Sequence, residues 1–145
     1  MMDIQELKAA LKAGKYDATF RKLYPGRWEP QQARYLHIAE EFGKRFGEER
    51  AVELFSAPGR SEIGGNHTDH QQGRVLAAAV TLDAVAVAAK NDQNVICIYS
   101  EGHGEERISL EKLDIVPQEQ GTTAPLIRGI VARFYELDLR FGGFD

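Results

Sequence analysis

The sequence has only one cysteine, Cys97, among its 145 residues. No second cysteine is available for an internal disulfide, which favours a reducing compartment. Long apolar runs are also missing, whereas a helix that spans a bilayer needs about 20 apolar residues. The opening residues, MMDIQELKAALKAGK, hold acids and lysines where a signal peptide needs an apolar stretch. These absences predict a cytoplasmic protein.

An excess of positive charge is missing as well. Lys and Arg total 18 while Asp and Glu total 22, so the formal net charge is −4. Nucleic acids and anionic membranes attract proteins through basic surfaces, so we expect neither as a partner. The length is sufficient for one domain with a substantial core.

Helical spacing of apolar residues predicts three helices before residue 48. The first ends at Gly14, the second ends at Pro25, and the third runs from near Pro30 to Gly47. Strand patterns follow at 51–57, 75–80, 83–89, 95–100 and 106–110. The alanine-rich runs 75–80 and 83–89 are predicted to be buried strands, and 106–110 is expected to pair with 95–100.

The segment 123–137 predicts a final helix with two adjacent apolar rows, and a broad face of this kind is expected to pack on a sheet. The rows are Leu126, Ile130 and Phe134, and Ile127, Val131 and Tyr135. Helices, then strands, then a covering helix indicate the α+β class. We expect a helical lead-in at 1–48 and a second region at 49–145.

The densest polar stretch is GRSEIGGNHTDHQQG, residues 59–73. In the simplest interpretation it is a turn between two strands, in which glycines permit unusual backbone angles and Asn66, Thr68 and Asp69 bond nearby amides. A second interpretation is a metal site, because His67, Asp69 and His70 supply imidazole and carboxylate ligands close together. No fourth ligand is indicated elsewhere in the sequence.

A third interpretation is a polyol site. Sugar hydroxyls both donate and accept hydrogen bonds, so their capture needs clustered carboxylates, amides and imidazoles. Asn66, His67 and Asp69 supply these groups within four residues. Arg60 adds a permanent positive charge to the same loop, which suits a phosphate better than a sugar. The loop matches neither common glycine-rich phosphate motif, so a nucleotide would be held mainly by other parts of the protein.

The stretch APGRSEIGGNHTDHQQGRVLAAAV resembles the galactose-binding signature of galactokinases, which are small-molecule kinases of the GHMP family. The usual form is roughly P-G-R-x-N-x-I-G-E-H-T-D-Y-N-x-G-x-V-L-P. The matching residues are Pro58, Gly59, Arg60, Gly65, His67, Thr68, Asp69, Gly73, Val75 and Leu76. The similarity extends from about Phe55 to Asp145, where NVICIYS, LIRGIVARF and FGGFD resemble successive family segments. It implies the amino-terminal part of a ribosomal-protein-like α+β domain, a mixed β-sheet with covering helices.

Several positions depart from the family pattern. Asn66 stands where the family has glutamate, and Glu62 lies within the segment that replaces the usual asparagine. His70-Gln71 replaces Tyr-Asn, and Ala77 replaces proline. An amide at Asn66 can still bond a hydroxyl, but without the strength of a charged acceptor. The identity of the sugar is therefore open.

The resemblance implies transfer of a phosphoryl group from ATP, with Mg²⁺, to the anomeric hydroxyl of galactose. In the family pattern Asn66, His67, Thr68 and Asp69 occupy sugar-binding positions. Arg60 occupies the position of the arginine that steadies the transferring phosphoryl group, where a fixed guanidinium stabilises the spreading negative charge. Ser100 resembles a position near the nucleotide, although a serine at a strand end is equally common.

The resemblance also implies that the family's phosphate loop and catalytic base lie beyond Asp145. We therefore expect an amino-terminal portion that phosphorylates nothing by itself, with uncovered strand edges that favour self-association. Two other functions stay open at this point. One is a catalytically silent sugar sensor, and the other is a metal-dependent hydrolase that uses His67, Asp69 and His70.

Overall fold

The computed structural model describes residues 2–65 and 68–145, except for the side chain of Asp69. The protein belongs to the α+β class, as predicted, and divides into two compact units, Met1–Val87 and Ala88–Asp145. The predicted boundary between residues 48 and 49 stays a prediction. In the described part of the chain, no helix has the length and apolar character needed to cross a membrane.

The first unit begins with a short strand and three helices. Strand β1, Met2–Asp3, leads into helix α1, Ile4–Lys12, and helices α2, Asp17–Leu23, and α3, Gln31–Phe46, follow. A reciprocal capping box starts α1, since the Glu6 amide donates to Asp3 Oδ1 over 2.8 Å and the Asp3 amide donates to Glu6 Oε2 over 3.2 Å. All three predicted helices are confirmed, with α3 beginning one residue after Pro30.

The helices bury the core of the first unit. Ile4, Leu7 and Leu11 lie on one face of α1, as helical spacing predicts. Aromatic rings fill the space between α2 and α3, where the ring centroids of Phe20 and Tyr35 are 4.9 Å apart. The remaining buried residues of this core are Ala10, Tyr24, Ala39, Phe42 and Val52.

Two long strands complete the first unit. Strand β2, Ala51–Gly64, pairs with β1 through the antiparallel partners Met2 and Val52, and strand β3, Leu76–Ala88, lies on its other side. The predicted runs 75–80 and 83–89 are thus one continuous strand. Ser56 bonds Asp83 and Gly59 lies beside Val80 and Leu82, so the contacts move back along β3 as they move forward along β2. The two strands form an antiparallel hairpin.

The prediction that these alanine-rich runs are buried is wrong for 75–80 and correct only in part for 83–89, where most residues are half-buried and Ala89 is buried. Residues 76–79 are all exposed, and the large side chains of Leu76 and Leu82 face solvent. Alternation of alanine and valine provides apolar surface on both faces of β3, but the helices of this unit cover the strand only towards its later part. Burial of a strand depends on what packs against it, which composition alone does not reveal.

The second unit is built on a two-stranded hairpin and one helix. Strands β4, Val95–Ser100, and β5, Gly104–Ser109, pair antiparallel from Val95 with Ser109 to Ser100 with Gly104, as predicted. The backbone of Phe144 forms a parallel bridge with Ile96, so the segment FGGFD lies beside β4 and makes this pairing mixed. Helix α4, Ala124–Glu136, covers the hairpin. Its core is Ile96, Ile108, Leu110, Ala124 and Val131.

The prediction that a broad apolar face of α4 packs on a sheet is wrong in part. Val131 is buried and Ile127 packs against the core, but Leu126 is 68% exposed. Ile130, Phe134 and Tyr135 are also exposed. The physical reason is the narrowness of a two-stranded sheet, which covers one stripe of a helix and leaves the adjacent row uncovered.

A charged residue lies inside the stripe that α4 buries. Arg128 is 8% exposed, and its Nε and Nη2 donate to the Glu119 carboxylate over 3.1 and 2.7 Å. Its Nη1 donates to the carbonyl oxygen of Lys112 over 2.5 Å. The guanidinium therefore joins the helix to the segment that precedes it.

Replacing Arg128 with methionine should destabilise the second unit by about 2 kcal/mol, less than the about 3–5 kcal/mol of a fully buried pair because Glu119 can still reach water. Arg133→Met is the matched control, since Arg133 bonds Glu136 on the same helix with its side chain 65% exposed. Exposed pairs of this kind contribute about 0–1 kcal/mol. Urea unfolding of both variants measures the difference. An equal loss of unfolding free energy in the two would contradict a stabilising role for the buried Arg128 pair.

Candidate sugar-binding loop

The loop between β2 and β3 closes around Thr68. The Thr68 amide donates to the carbonyl oxygen of Gly65 over 3.2 Å, and the Thr68 carbonyl accepts from the amides of Gln71, over 3.0 Å, and Gly73, over 2.7 Å. Residues Asp69–Gln71 form one turn of 3₁₀ helix. The turn interpretation is therefore correct for the backbone of the described part of this loop.

Two glycines make this closure sterically feasible. Gly65 has φ +107, and a Cβ there would lie 2.5 Å from the carbonyl oxygen of Arg74. A Cβ on Gly73 would collide with Cβ and Oγ1 of Thr68 and lie 2.7 Å from its carbonyl oxygen. Both positions need the close backbone approach that only glycine permits.

The predicted site residues fall into two groups. Arg60 lies on β2 with an exposed side chain, and Thr68 lies half-buried at the centre of the turn. Asn66, His67 and the side chain of Asp69 lie outside the described residues, so their predicted roles stay predictions. The hydroxyl of Thr68 is 3.5 Å from the carbonyl oxygen of Arg74, the limit of a weak hydrogen bond, and so retains capacity to bond a ligand.

Arg60 is placed by the pairing of β2 with β3. It follows Ser56 by four residues, and the two-residue period of a strand puts both side chains on one face. Among the described side chains, none is found as a hydrogen-bond or ion-pair partner of Arg60. An exposed guanidinium on a rigid strand is suited to bind an anion.

The structure leaves the metal interpretation untested. His70 is exposed in the 3₁₀ turn, whereas His67 and the Asp69 side chain lie outside the described residues. Within the described ranges, no group of three or more His, Cys, Asp and Glu side chains is arranged to hold a metal ion.

Ser100, the predicted nucleotide contact, belongs to the second unit. It is the exposed last residue of β4, and its carbonyl oxygen accepts from the His103 amide over 2.9 Å in the turn to β5. This geometry is that of an ordinary strand end. The assignment to the nucleotide stays a prediction.

A buried carboxylate that the sequence patterns did not single out fixes the other end of the β2–β3 hairpin. Asp83, with its side chain 3% exposed, accepts from the hydroxyls of Tyr24 and Ser56, each over 2.5 Å. Arg34 donates from Nη1 to Asp83 Oδ1 over 2.6 Å and from Nη2 to the Asp83 carbonyl over 2.7 Å. Tyr35 extends this Asp83 cluster through a 2.8 Å hydrogen bond between its hydroxyl and that of Tyr24.

The cluster keeps Asp83 ionised. Burial, the largest influence, favours the neutral acid, but hydrogen bonds from Ser56, Tyr24 and Arg34 together hold the pKa of Asp83 below its ordinary value. Burial and then the hydrogen bond to Asp83 raise the pKa of Tyr24, so its hydroxyl remains a donor. A signal for this cluster does exist in the sequence, because Asp83 is the one charged residue in the apolar run 75–89.

The first unit should lose stability in acid through Asp83. A carboxyl whose pKa is lower in the folded state stabilises it above the unfolded pKa, about 3.9 for aspartate, and that contribution disappears as the pH falls through the folded pKa. We expect Asp83→Asn to be less stable than the unaltered chain at pH 7 and the gap to narrow by pH 3. Urea unfolding at both pH values checks this, and a gap independent of pH would contradict it.

Comparison with known proteins accords with this geometry. Residues 40–90 match the family model described as the galactokinase galactose-binding signature. The galactokinase of Lactococcus lactis subsp. cremoris strain MG1363 is 29% identical over 109 residues, which is 72% of this chain and 27% of the relative. The chain is a galactokinase relative. The galactokinase of Bacillus subtilis strain 168 is 31% identical over 98 residues, which is 66% of this chain and 25% of that relative.

A solved structure supports the fold of this galactokinase relative. The crystal structure of Lactococcus lactis galactokinase complexed with galactose matches with a TM-score of 0.66 and 24% identity, over 77% of this chain and 29% of that one. The likeness establishes the α+β fold. The chain spans about a quarter of the length of the curated relatives it matches.

Proposed function

We propose that this chain binds galactose through the loop between β2 and β3, and that it is the sugar-binding part of a galactokinase. Such an enzyme phosphorylates the anomeric hydroxyl of galactose with ATP and Mg²⁺, giving galactose 1-phosphate and ADP. The observation that carries the proposal is the match of residues 40–90 to the galactose-binding signature. The solved relative with the same fold was crystallised with galactose.

In this proposal the loop supplies the groups that bind the sugar. Asn66, His67, Thr68 and Asp69 bond the sugar hydroxyls, for which amide, imidazole, hydroxyl and carboxylate groups provide both donors and acceptors. The closed turn around Thr68 supports this role, because a rigid backbone limits the entropy that binding costs. Asp69 holds hydroxyls and is not assigned as a general base.

Arg60 is proposed to stabilise the phosphoryl group during its transfer. The exposed guanidinium supports this role, since it is always charged and its backbone belongs to a paired strand. Ser100 is proposed to lie near the ATP nucleotide, with its hydroxyl as the contacting group.

Calorimetric titration of the chain with galactose tests the binding proposal. We expect saturable binding of galactose and weaker binding of glucose, which differs at a single hydroxyl, because an unpaired polar group in a built site costs affinity. N-acetylgalactosamine belongs in the same panel, since Asn66 replaces the family glutamate. No heat of binding with any of these sugars would contradict the proposal.

Arg60 should affect turnover rather than sugar affinity. In a longer protein that contains this chain and phosphorylates galactose, we expect Arg60→Ala to lower kcat about 100-fold or more, as loss of a transition-state donor does. The galactose Kd should change by less than about threefold, within the scatter of surface substitutions. Arg74→Ala, an exposed arginine at the other end of the loop, is the matched control. The reverse pattern, a weaker Kd with kcat intact, would assign Arg60 to the sugar.

Asn66 favours one second candidate, a catalytically silent sugar sensor. The amide lacks the charge that the family glutamate gives to a hydroxyl contact. The same assays separate the two functions, because a sensor binds galactose with no turnover in any longer protein that contains this chain.

A further inference from the structure

Strand β3 has a composition that leaves its pairing register weakly specified. Apart from Asp83 its residues are alanine, valine, leucine and one threonine, so both faces are apolar. The register of a strand is normally fixed because a shift by one residue moves its apolar side chains to the wrong face. A strand with two similar faces loses little in such a shift.

Asp83 is the residue of β3 that would lose most if the register changed. Its carboxylate bonds Ser56 on β2, Tyr24 directly after α2 and Arg34 on α3, so three parts of the unit converge on one side chain. A shift by one residue would turn Asp83 to the opposite face of the hairpin. Three donors would lose their acceptor, and a carboxylate would leave the cation that stabilises it.

Contacts between β2 and β3 run from Asp83 to the loop. Ser56 bonds Asp83, a Cβ on Gly59 would lie 3.0 Å from the Leu82 carbonyl oxygen and 3.3 Å from Val80 Cγ2, and a Cβ on Gly65 would lie 2.5 Å from the Arg74 carbonyl oxygen. The two strands therefore remain in contact from Asp83 to the loop. A change of register at Asp83 would therefore add or remove a residue in the loop that contains Thr68.

We propose that Asp83 is a positioning residue that fixes the register of β3 against β2, and thereby the shape of the sugar-binding loop and the placement of Arg60. It acts through Ser56 and the two helices and touches no ligand. The inference rests on the proposed function for its affinity measurement, whereas its hydrogen-exchange measurement is independent of any sugar.

Asp83→Asn is the informative variant, because it keeps the size of the side chain and removes the charge. We expect amide exchange in 51–64 and 68–88 to accelerate about tenfold or more, while amides of α1 change by less than about threefold, as in local rather than global opening. The galactose Kd should rise about tenfold or more, since a mispositioned site loses its preorganised contacts.

A control of equal stability separates positioning from general destabilisation. Ala10→Gly weakens α1 at a buried position outside the cluster, and Leu11→Ala serves if a larger fall in Tm is needed to match Asp83→Asn. These controls should leave the galactose Kd of the folded protein near that of the unaltered chain. If Asp83→Asn does not fold, Ser56→Ala removes only the bond between the two strands. It should also accelerate amide exchange in both strands and raise the galactose Kd, with smaller changes in each.

Two results would overturn the inference. One is unchanged exchange in both strands and unchanged affinity in Asp83→Asn. The other is uniform acceleration across α1, α3, β2 and β3, with an affinity loss equal to that of the stability-matched control. If the unaltered chain binds no galactose, the proposed function fails, and the exchange measurement alone decides the register.

Discussion

Replacing Gly73 with alanine should weaken galactose binding by about tenfold or more. The new Cβ would collide with the side chain of Thr68 and lie 2.7 Å from its carbonyl oxygen. Forcing an extra carbon into a closed site costs about 1–3 kcal/mol, and 1.4 kcal/mol corresponds to a factor of ten in affinity. Thr68 must move away, and its carbonyl would lose the 2.7 Å hydrogen bond from the Gly73 amide. Thr68, one of the four proposed sugar ligands, lies at the centre of this turn, so its displacement should disturb the site.

Gly64→Ala is the matched control for this substitution. Gly64 lies at the end of β2, in the same loop region, and a Cβ there meets no heavy atom of the described residues within 4 Å. Its galactose Kd should remain within about twofold of the unaltered chain, as for a substitution into open space. Calorimetric titration measures both. Equal affinity in Gly73→Ala and Gly64→Ala would mean that the sugar binds elsewhere or that the turn does not shape the site.

Local patterns predicted the elements whose partners are close in sequence. The spacing of Ile4, Leu7 and Leu11 predicted α1, and its apolar face is buried as expected. Strands β4 and β5 are joined by a short turn with glycines at positive φ, Gly102 and Gly104, and this hairpin was predicted correctly. Such features depend on a few neighbouring residues, which the sequence displays directly.

Features that depend on distant partners were not predictable in the same way. The three donors to Asp83 lie 27, 49 and 59 residues away along the chain, so no local pattern joins them. The exposure of Leu126 depends on the width of the sheet under α4, which the helix sequence does not contain. In both cases tertiary packing decided the outcome, and an apolar pattern alone could not.

The candidate site was predictable as a set of residue types and not as an arrangement. The signature named Arg60, Asn66, His67, Thr68 and Asp69, and the structure places Arg60 on a strand and Thr68 in a closed turn. The dependence of that turn on Gly73 is a steric relation between residues brought together by the fold. The support of the hairpin by α2 and α3 also links the helical lead-in to the loop, although the two are separate in sequence.

Replacing Arg34 with leucine should destabilise the first unit by about 2–3 kcal/mol. Asp83 would keep its charge in a site where its side chain is 3% exposed, without the cation that now lies 2.6 Å away. Breaking a buried pair costs about 3–5 kcal/mol, and we reduce this because Arg34 is 37% exposed and the hydroxyls of Tyr24 and Ser56 still donate. Urea unfolding at pH 7, followed by circular dichroism, measures the loss.

A double-mutant cycle identifies the cause of that loss. In the Asp83→Asn background, Arg34→Leu leaves no buried charge unpaired. Its cost in unfolding free energy should therefore be smaller by about 1 kcal/mol or more, a coupling typical of residues in contact. Lys44→Leu, on the same helix, breaks an exposed pair with Glu41 and should leave the unfolding midpoint nearly unchanged, because water screens both charges. An equal cost of Arg34→Leu in both backgrounds would mean that the arginine stabilises α3 by packing alone. In that case the charge of Asp83 would not hold the hairpin against α3, and its hydrogen bond with Ser56 would be its remaining contribution to the register.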